Sequence, residues 1–233
     1  MFADVLSYPN RGAWLERTVL GSLLVVGSVL VVPAVFLAGY LLRVLETTLD
    51  GDDTPPPFEG WRELAAAGAG GTAITLAYLL APLVGGAIVT LVLVPIGYYG
   101  LVGLATVIDG RVAIWGVSLV AALVAGLLAL GFAAVTLAVY TVLPAALTVY
   151  ARTGALRSAF DRTALEPIVL CREYVLAVTV LQLVPLAVPI VALCCLVTVV
   201  GVVALPAIPF YAALVSCRVL GVATSAAIDR PIE

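Results

Sequence analysis

The sequence contains no histidine and no lysine among its 233 residues, and each absence removes a class of function. Without histidine, the chain lacks the usual general base near neutral pH and the usual ligand for zinc, iron or copper. Without lysine, it cannot form a Schiff base with an aldehyde or build a lysine-dependent phosphate-binding loop. We therefore predict no enzymatic activity, no catalytic residue, no cofactor and no metal site.

Charge is also scarce. The chain has 11 basic residues, all of them arginines, and 14 acidic residues, which gives a net charge of −3. There is no basic stripe with interleaved aromatics, so nucleic acid is not a predicted partner. The four cysteines show no metal-binding spacing and are interpreted as small apolar helix residues: Cys171, Cys194, Cys195 and Cys217.

What the chain has in excess is apolar sequence. Hydrophobic residues make up 64% of it and charged residues 11%, with a mean hydropathy of +1.22. Soluble domains average about 45–50% apolar and about 25% charged residues. The composition predicts a multi-pass protein of the cell membrane, an all-α transmembrane helical bundle whose main partner is the lipid bilayer.

Charged residues divide the chain into four apolar blocks of 25, 45, 40 and 44 residues: 18–42, 64–108, 112–151 and 174–217. One crossing of a hydrocarbon core about 30 Å thick needs about 20 helical residues. We assign one span to the first block, two to the second, one to the third and two to the fourth. The total is about six, with a range of five to seven, and seven is the alternative if the third block is a hairpin.

Helix breakers predict where the two longest blocks turn. In the second block, Pro82 precedes the pair Gly85 and Gly86, and in the fourth block Pro185 and Pro189 interrupt the run. The first block is too long for a signal-peptide core and follows a partly polar segment, so we expect it to remain in the mature protein.

The arginines give two models of orientation, because loops rich in arginine lie on the cytoplasmic side. Six spans with the N-terminus inside place eight arginines in the cytoplasm and three outside, whereas seven spans with the N-terminus outside give nine and two. The two models differ in the side of the membrane that the loop from Arg43 to Glu63 faces.

The chain shows signs of an internal duplication within a single membrane domain, 1–233. Pro33, Tyr40 and Arg43 match Pro144, Tyr150 and Arg152, and further matches follow at offsets of 110 to 120 residues. The predicted halves run from about 14 to 111 and from about 115 to 230.

Two polar segments are predicted to be amphipathic elements at the membrane interface. The first has Pro55, Pro56 and Pro57 before Phe58 and Trp61, aromatic residues of the kind that anchor chains at the interface. A partner docking on the prolines is the alternative. The second segment places apolar side chains on one helical face and basic ones on the other. Its candidate interaction residues are Arg152, Arg157, Phe160 and Arg162.

Polar or flexible positions inside the apolar blocks are the candidates for an intramembrane cavity. Gln182 is an amide that must find partners in lipid, and it either locks two helices together or binds a ligand. Pro95 with Gly97 and Gly100 is typical of a broken helix that lines a cavity. Small residues at four-residue spacing, such as Ala66 with Gly70, allow close helix packing within the bundle or between copies.

The two polar segments and their flanks also carry a family resemblance. The segments concerned are Val32–Leu45, Asp50–Asp53 and Pro56–Trp61, followed in order by Leu143–Leu147 and Tyr150–Asp161. Together they resemble a haloarchaeal membrane-protein family, domain of unknown function 4013. The resemblance covers nearly the whole chain and implies a multi-span protein of a haloarchaeal cell membrane without an assigned activity.

Two functions remain open at this point. The first is a non-enzymatic scaffold or accessory protein that presents its polar loops to a membrane-protein partner, to a second copy or to lipid. The alternative is a facilitative transporter of a neutral or apolar small solute. A membrane enzyme is the weakest hypothesis, because it would need loop carboxylates such as Asp52 and Asp53 to converge on a site.

Overall fold

The computed structural model describes residues 7–105, 110–197, 201 and 205–228. Within these ranges the chain forms α-helices, two short 3₁₀ helices and turns, with no strand. The predicted all-α class is therefore confirmed. The α-helices are α1 (Trp14–Gly27), α2 (Val31–Leu49), α3 (Trp61–Ala105), α4 (Gly110–Thr153), α5 (Arg162–Val169), α6 (Arg172–Leu181), α7 (Val184–Leu196) and α8 (Ala207–Ile228).

Five helical stretches in the described part of the chain are long and apolar enough to cross a membrane. This number lies at the lower end of the predicted range. The five candidate spans are Val31–Leu49, Trp61–Gly100, Ser118–Thr153, Arg172–Leu196 and Ala207–Ser225.

The prediction of one span over 18–42 was wrong, because the chain reverses within that block. Helix α1 ends at Gly27 and α2 begins at Val31, and the Ser28 hydroxyl donates to the Val25 carbonyl at 2.6 Å. A Cβ atom on Gly27 would lie 3.0 Å from the Pro33 ring, so the turn is tight. With 14 residues, α1 is about 21 Å long and falls short of a crossing.

The predicted turn near Pro82 in the second block was also wrong, because α3 runs through both Pro82 and Pro95 as a single helix. A proline removes one amide donor from a helix, whereas a turn in hydrocarbon leaves several backbone groups unpaired. The single long helix predicted for the third block is confirmed by α4.

The fourth block does contain two candidate spans, but they separate at a different place from the one predicted. Pro185 lies in the first turn of α7, and the helix is interrupted before it, at Gln182 and Leu183. One candidate span ends at Leu196 and the next begins at Ala207. The prolines therefore mark an offset between α6 and α7 and not the turn between spans.

The described residues fall into two compact units. The larger unit comprises the chain up to Thr75 together with the chain from Thr141 onward. Its core contains Tyr8, Tyr40, Val44, Leu64, Phe210 and Leu214, all buried. Helix α8 packs against α1, α2 and α6. Helices α2 and α3 approach so closely that a Cβ atom on Gly39 would overlap the Leu64 carbonyl.

The smaller unit, Leu76–Tyr140, comprises parts of α3 and α4. Gly86 lies against the Phe132 ring, beside an apolar groove of about 420 Å³. Large apolar side chains are exposed all round this unit, including Leu91 at 76%. A helix that is apolar on every side is typical of a segment surrounded by lipid.

The internal duplication stays a prediction. Matched residues do occupy matched places, since Arg43 and Arg152 both lie near the ends of long helices and Leu64 and Tyr174 are both buried in first turns. The end of the second predicted half, near 230, lies outside the described residues.

Candidate functional site: the charged face

The first polar loop, residues 50–60, is held by arginines from distant parts of the sequence. Arg218 of α8 donates to the Asp52 carbonyl at 2.6 Å and to Asp53 Oδ1 at 2.5 Å. Arg11 donates to the Asp53 carbonyl at 3.1 Å. Such charge-assisted bonds are among the stronger hydrogen bonds in proteins. The N-terminal segment, the loop and the last helix therefore meet at Asp53.

The other end of the first polar loop is fixed by an aromatic cluster. The Phe58 ring stacks on Tyr40 with a centroid distance of 3.8 Å, and the Tyr40 hydroxyl donates to the Pro56 carbonyl at 3.1 Å. Arg43 donates to the Glu59 carbonyl and to Glu63 Oε2, the latter at 3.1 Å. Because both ends are held, the loop is an ordered part of the larger unit.

These contacts decide how much of the predicted first interface is accessible. Pro55 is buried, Pro56 and Phe58 are half-buried, and Pro57 is exposed. Trp61 is 46% exposed. Partner docking on the prolines and anchoring by Phe58 and Trp61 both stay predictions, and the side chains that remain most accessible for either role are Pro57 and Trp61.

The sequence analysis did not identify Tyr8 or Arg218 as members of this site. The Arg218 guanidinium lies 4.8 Å from the centre of the Tyr8 ring, a cation–π contact. Burial raises the pKa of the Tyr8 hydroxyl, against the opposing effects of Thr48 and Arg218, and this keeps the phenol neutral. One signal was available, since Arg218 is the lone charged residue between Glu173 and Asp229 and such a residue needs a partner.

The second polar loop, residues 154–171, is stabilised mainly by local contacts. A 3₁₀ helix at Leu156–Phe160 leads to α5, where Asp161 accepts hydrogen bonds from the Thr163 amide at 3.0 Å and the Thr163 hydroxyl at 2.7 Å. These bonds lower the pKa of Asp161. Arg162 lies 3.6 Å from Glu166 one turn later.

This loop turns its predicted interaction residues outward. Arg152, Arg157 and Arg162 are exposed, and Phe160 is 53% exposed. The neighbouring Ala159 is fully buried. The loop thus presents an aromatic side chain and several guanidinium groups at its surface, a combination suited to a membrane interface or to a protein partner.

The candidate intramembrane residues lie on helix surfaces. Gln182, at the end of α6, is exposed. Pro95, Gly97 and Gly100 are exposed in the smaller unit, and no heavy atom lies within 4 Å of a Cβ atom built on either glycine. Their roles in a cavity, in ligand binding or in locking helices together stay predictions. In the described part of the chain, no group of three potential metal ligands comes together.

Direct contacts bring these segments to the same end of the larger unit. Arg11 bonds Asp53, so the N-terminal segment and the first polar loop lie together. Arg43, Glu63 and Arg152 line one cavity, so the second polar loop begins at that end too. Both orientation models assumed a single span over 18–42 between the N-terminal segment and the first polar loop, whereas the structure has the two helices α1 and α2 there. The side of the membrane that each loop faces stays a prediction. We call this surface the charged face: the N-terminal segment Tyr8–Arg17, both polar loops with their flanking helix ends, and Arg218.

Comparison with known proteins gives one match. The family model described as "Protein of unknown function (DUF4013)" matches residues 23–203, which include both polar loops and most of the candidate spans. No curated protein and no solved structure matches the chain.

Proposed function

The chain belongs to the DUF4013 family of proteins of unknown function, and from that premise we propose that it is a non-enzymatic scaffold or accessory component of the cell membrane. The observation that carries this proposal is the charged face. It is an ordered surface, fixed through Asp53 and Tyr40, that leaves Trp61 and Phe160 exposed among arginines. Aromatic residues and arginine are enriched where proteins bind one another.

The geometry of the carboxylates supports the non-enzymatic part of the proposal. Asp53 pairs with Arg218 and Glu63 pairs with Arg43. A carboxylate whose oxygens already accept hydrogen bonds from an arginine is less available to accept a proton from a substrate.

The charged face is proposed to lie in the cytoplasm. It carries nine of the ten arginines that lie in the described ranges: Arg11, Arg17, Arg43, Arg62, Arg152, Arg157, Arg162, Arg172 and Arg218. Such a one-sided distribution close to span ends is typical of the cytoplasmic side. The partner is then a cytoplasmic segment of another membrane protein or of a second copy.

Single cysteines at exposed positions test this orientation. In a variant with the four native cysteines replaced, cysteine is introduced at Asn10, Thr54 or Arg157. In intact cells, all three should resist a membrane-impermeant maleimide and should react after the membrane is opened. Labelling of Thr54→Cys alone in intact cells would contradict a shared face, and labelling of all three would place that face outside.

Photo-crosslinking tests the scaffold role. A photoreactive residue at position 160 or 61 should give one discrete crosslinked product in native membranes. Arg157→Gln and Arg162→Gln should weaken that product at position 160, whereas the same probe at Val92, in the smaller unit, should not give it. A probe at 160 that reacts with lipid alone contradicts the proposal.

Solute flux separates this role from transport. Proteoliposomes containing the full chain should be no more permeable to a neutral solute such as glycerol than protein-free liposomes. A permeability that is lost in the Gln182→Leu variant would instead establish the transporter alternative.

A haloarchaeal source is a further part of the proposal, supported by the exclusive use of arginine for positive charge and by the acidic balance. If the protein is salt-adapted, its thermal stability should rise between about 0.1 M and about 1 M KCl, although screening at 1 M weakens exposed ion pairs. A lower melting temperature at the higher salt concentration would contradict salt adaptation.

A further inference from the structure

A cavity of about 410 Å³ opens where three long helices end. Arg43 and Glu46 of α2, Glu63 and Leu64 of α3, and Tyr150 and Arg152 of α4 line it. Its volume lies within the range of about 300–1,000 Å³ that is typical of small-ligand sites. All these residues belong to the larger unit.

Two of the four charges in this cavity are already paired. Arg43 donates to Glu63 Oε2 at 3.1 Å and to the Glu59 carbonyl. Glu46 and Arg152 line the same cavity, but among the described residues neither side chain has an ion-pair or hydrogen-bond partner. The cavity therefore holds one unpaired negative and one unpaired positive group.

Tyr150 also lines the cavity. The residue is 8% exposed, its hydroxyl lies against Gly70, and within the described ranges this hydroxyl has no hydrogen-bond partner in the protein. It is not a fully buried atom, so it is available to donate to a ligand oxygen.

Part of the wall is apolar, formed by Leu42, Leu64 and Ala67, and Thr153 also lines the cavity. Charged groups and apolar groups thus share one cavity at the ends of the candidate spans Val31–Leu49 and Ser118–Thr153, the level at which lipid headgroups meet acyl chains. An amphipathic ligand fits both walls at once.

We propose that this cavity binds the headgroup of a zwitterionic phospholipid. The phosphate accepts hydrogen bonds from Arg152 and Tyr150, the ammonium group pairs with Glu46, and the first carbons of the lipid's hydrocarbon chains contact Leu64. A ligand of this class satisfies both unpaired charges, whereas an anionic headgroup would leave Glu46 unpaired. This inference goes beyond the scaffold role and does not depend on it.

Native mass spectrometry of the detergent-purified full chain tests the proposal. The probes are phosphatidylethanolamine and phosphatidylglycerol, which share the phosphate but differ in the ammonium group. The protein should retain phosphatidylethanolamine in preference to phosphatidylglycerol. Arg152→Gln should reduce retention at least tenfold, and Glu46→Gln should remove the preference between the two lipids. Arg172→Gln, an exposed arginine at the start of α6, is the matched control and should bind as the native chain does.

Three outcomes would overturn the proposal. The first is equal retention of both lipids by the native chain, and the second is an equal loss in Arg152→Gln and Arg172→Gln at unchanged melting temperature. The third comes from calorimetry with free phosphoethanolamine. If phosphoethanolamine binds as tightly as the lipid does, the pairing of its charges with Glu46 and Arg152 stands, but the assignment of the ligand to a membrane lipid is overturned.

Discussion

The larger and the smaller unit both contain long apolar helices, but they are organised in different ways. In the larger unit, Tyr8, Tyr40 and Phe210 are buried, and helix backbones touch at Gly39. In the smaller unit, Leu83 and Leu127 are 67% and 72% exposed. No neighbouring heavy atom outside the local helix lies within 4 Å of a Cβ atom placed on Gly97. Specific side-chain contacts therefore define the first region, whereas the second consists of apolar helices whose large side chains are mostly exposed. Substitutions matched between the two units test this comparison.

The largest expected effect comes from a methyl group at the closest helix contact. Gly39→Ala places a Cβ atom against the Leu64 carbonyl, which cannot rotate away, and should lower the free energy of unfolding by about 3 kcal/mol. The methyl group of Gly97→Ala enters open space. Because alanine has the higher helix propensity, this change should leave the free energy of unfolding the same or raise it by up to about 1 kcal/mol. Thermal unfolding in detergent measures both. Equal destabilisation by the two changes would remove the distinction between the units.

The next effect concerns the arginine that holds the first polar loop. Arg218→Gln removes the hydrogen bonds to Asp52 and Asp53 and should destabilise the larger unit by about 1.5 kcal/mol. The expected loss is no larger because Asp53 is largely exposed, so water can take the place of the guanidinium group. Limited proteolysis should then cut within residues 50–60. Arg62→Gln is the control, with an exposed arginine beside the same loop. An uncut loop in Arg218→Gln would show that the aromatic cluster alone is sufficient.

A smaller effect is expected from a single hydroxyl. Tyr40→Phe leaves the Pro56 carbonyl without its donor and should lower stability by about 1 kcal/mol. Tyr98→Phe, in the smaller unit, changes a side chain that is 63% exposed and should have no measurable effect in detergent. Denaturant unfolding of the two variants gives the comparison. A larger loss in Tyr98→Phe would contradict the contrast between the units.

The smallest expected effect depends on pH and is confined to α5. The pKa of Asp161 is lowered by Thr163, so its contribution is fully present above the unfolded pKa of about 3.9 and is lost as the pH falls through the lowered value. In the native chain, the protection factors of the α5 amides, which are corrected for the intrinsic exchange rate at each pH, should fall at acidic pH. Asp161→Asn keeps an N-cap acceptor and should remove that dependence. Acid-sensitive exchange that persists in Asp161→Asn would assign it to another group.

Local patterns predicted the fold where local physics decides it. The block 112–151 was expected as one long helix, because no polar turn residue interrupts its middle, and α4 covers it. The block containing Pro82, Gly85 and Gly86 was misjudged, because a helix is retained through breaker residues where an interrupted backbone would have no water to bond. The reversal between α1 and α2 was missed, because a turn of three residues with a single polar side chain, Ser28, barely changes the composition.

The candidate site was predicted in part. Trp61, Arg157 and Phe160 were identified from composition and amphipathic pattern, and they are exposed. Arg218 and Tyr8 were missed, because their roles come from each other and from Asp53, 165 residues before Arg218 in the chain. Periodicity reports which face of a helix is apolar, and it carries no information about contacts across such distances.

Composition and hydropathy alone establish a helical chain with little charge and with segments apolar enough to span a membrane, because hydrophobic transfer is additive along the chain and depends little on neighbours. The packed helices add what no local pattern contains: the N-terminal segment and both polar loops form a single charged face, and Glu46 and Arg152 share a cavity. Those features are pairwise contacts between distant residues, and their geometry exists only once the helices have packed.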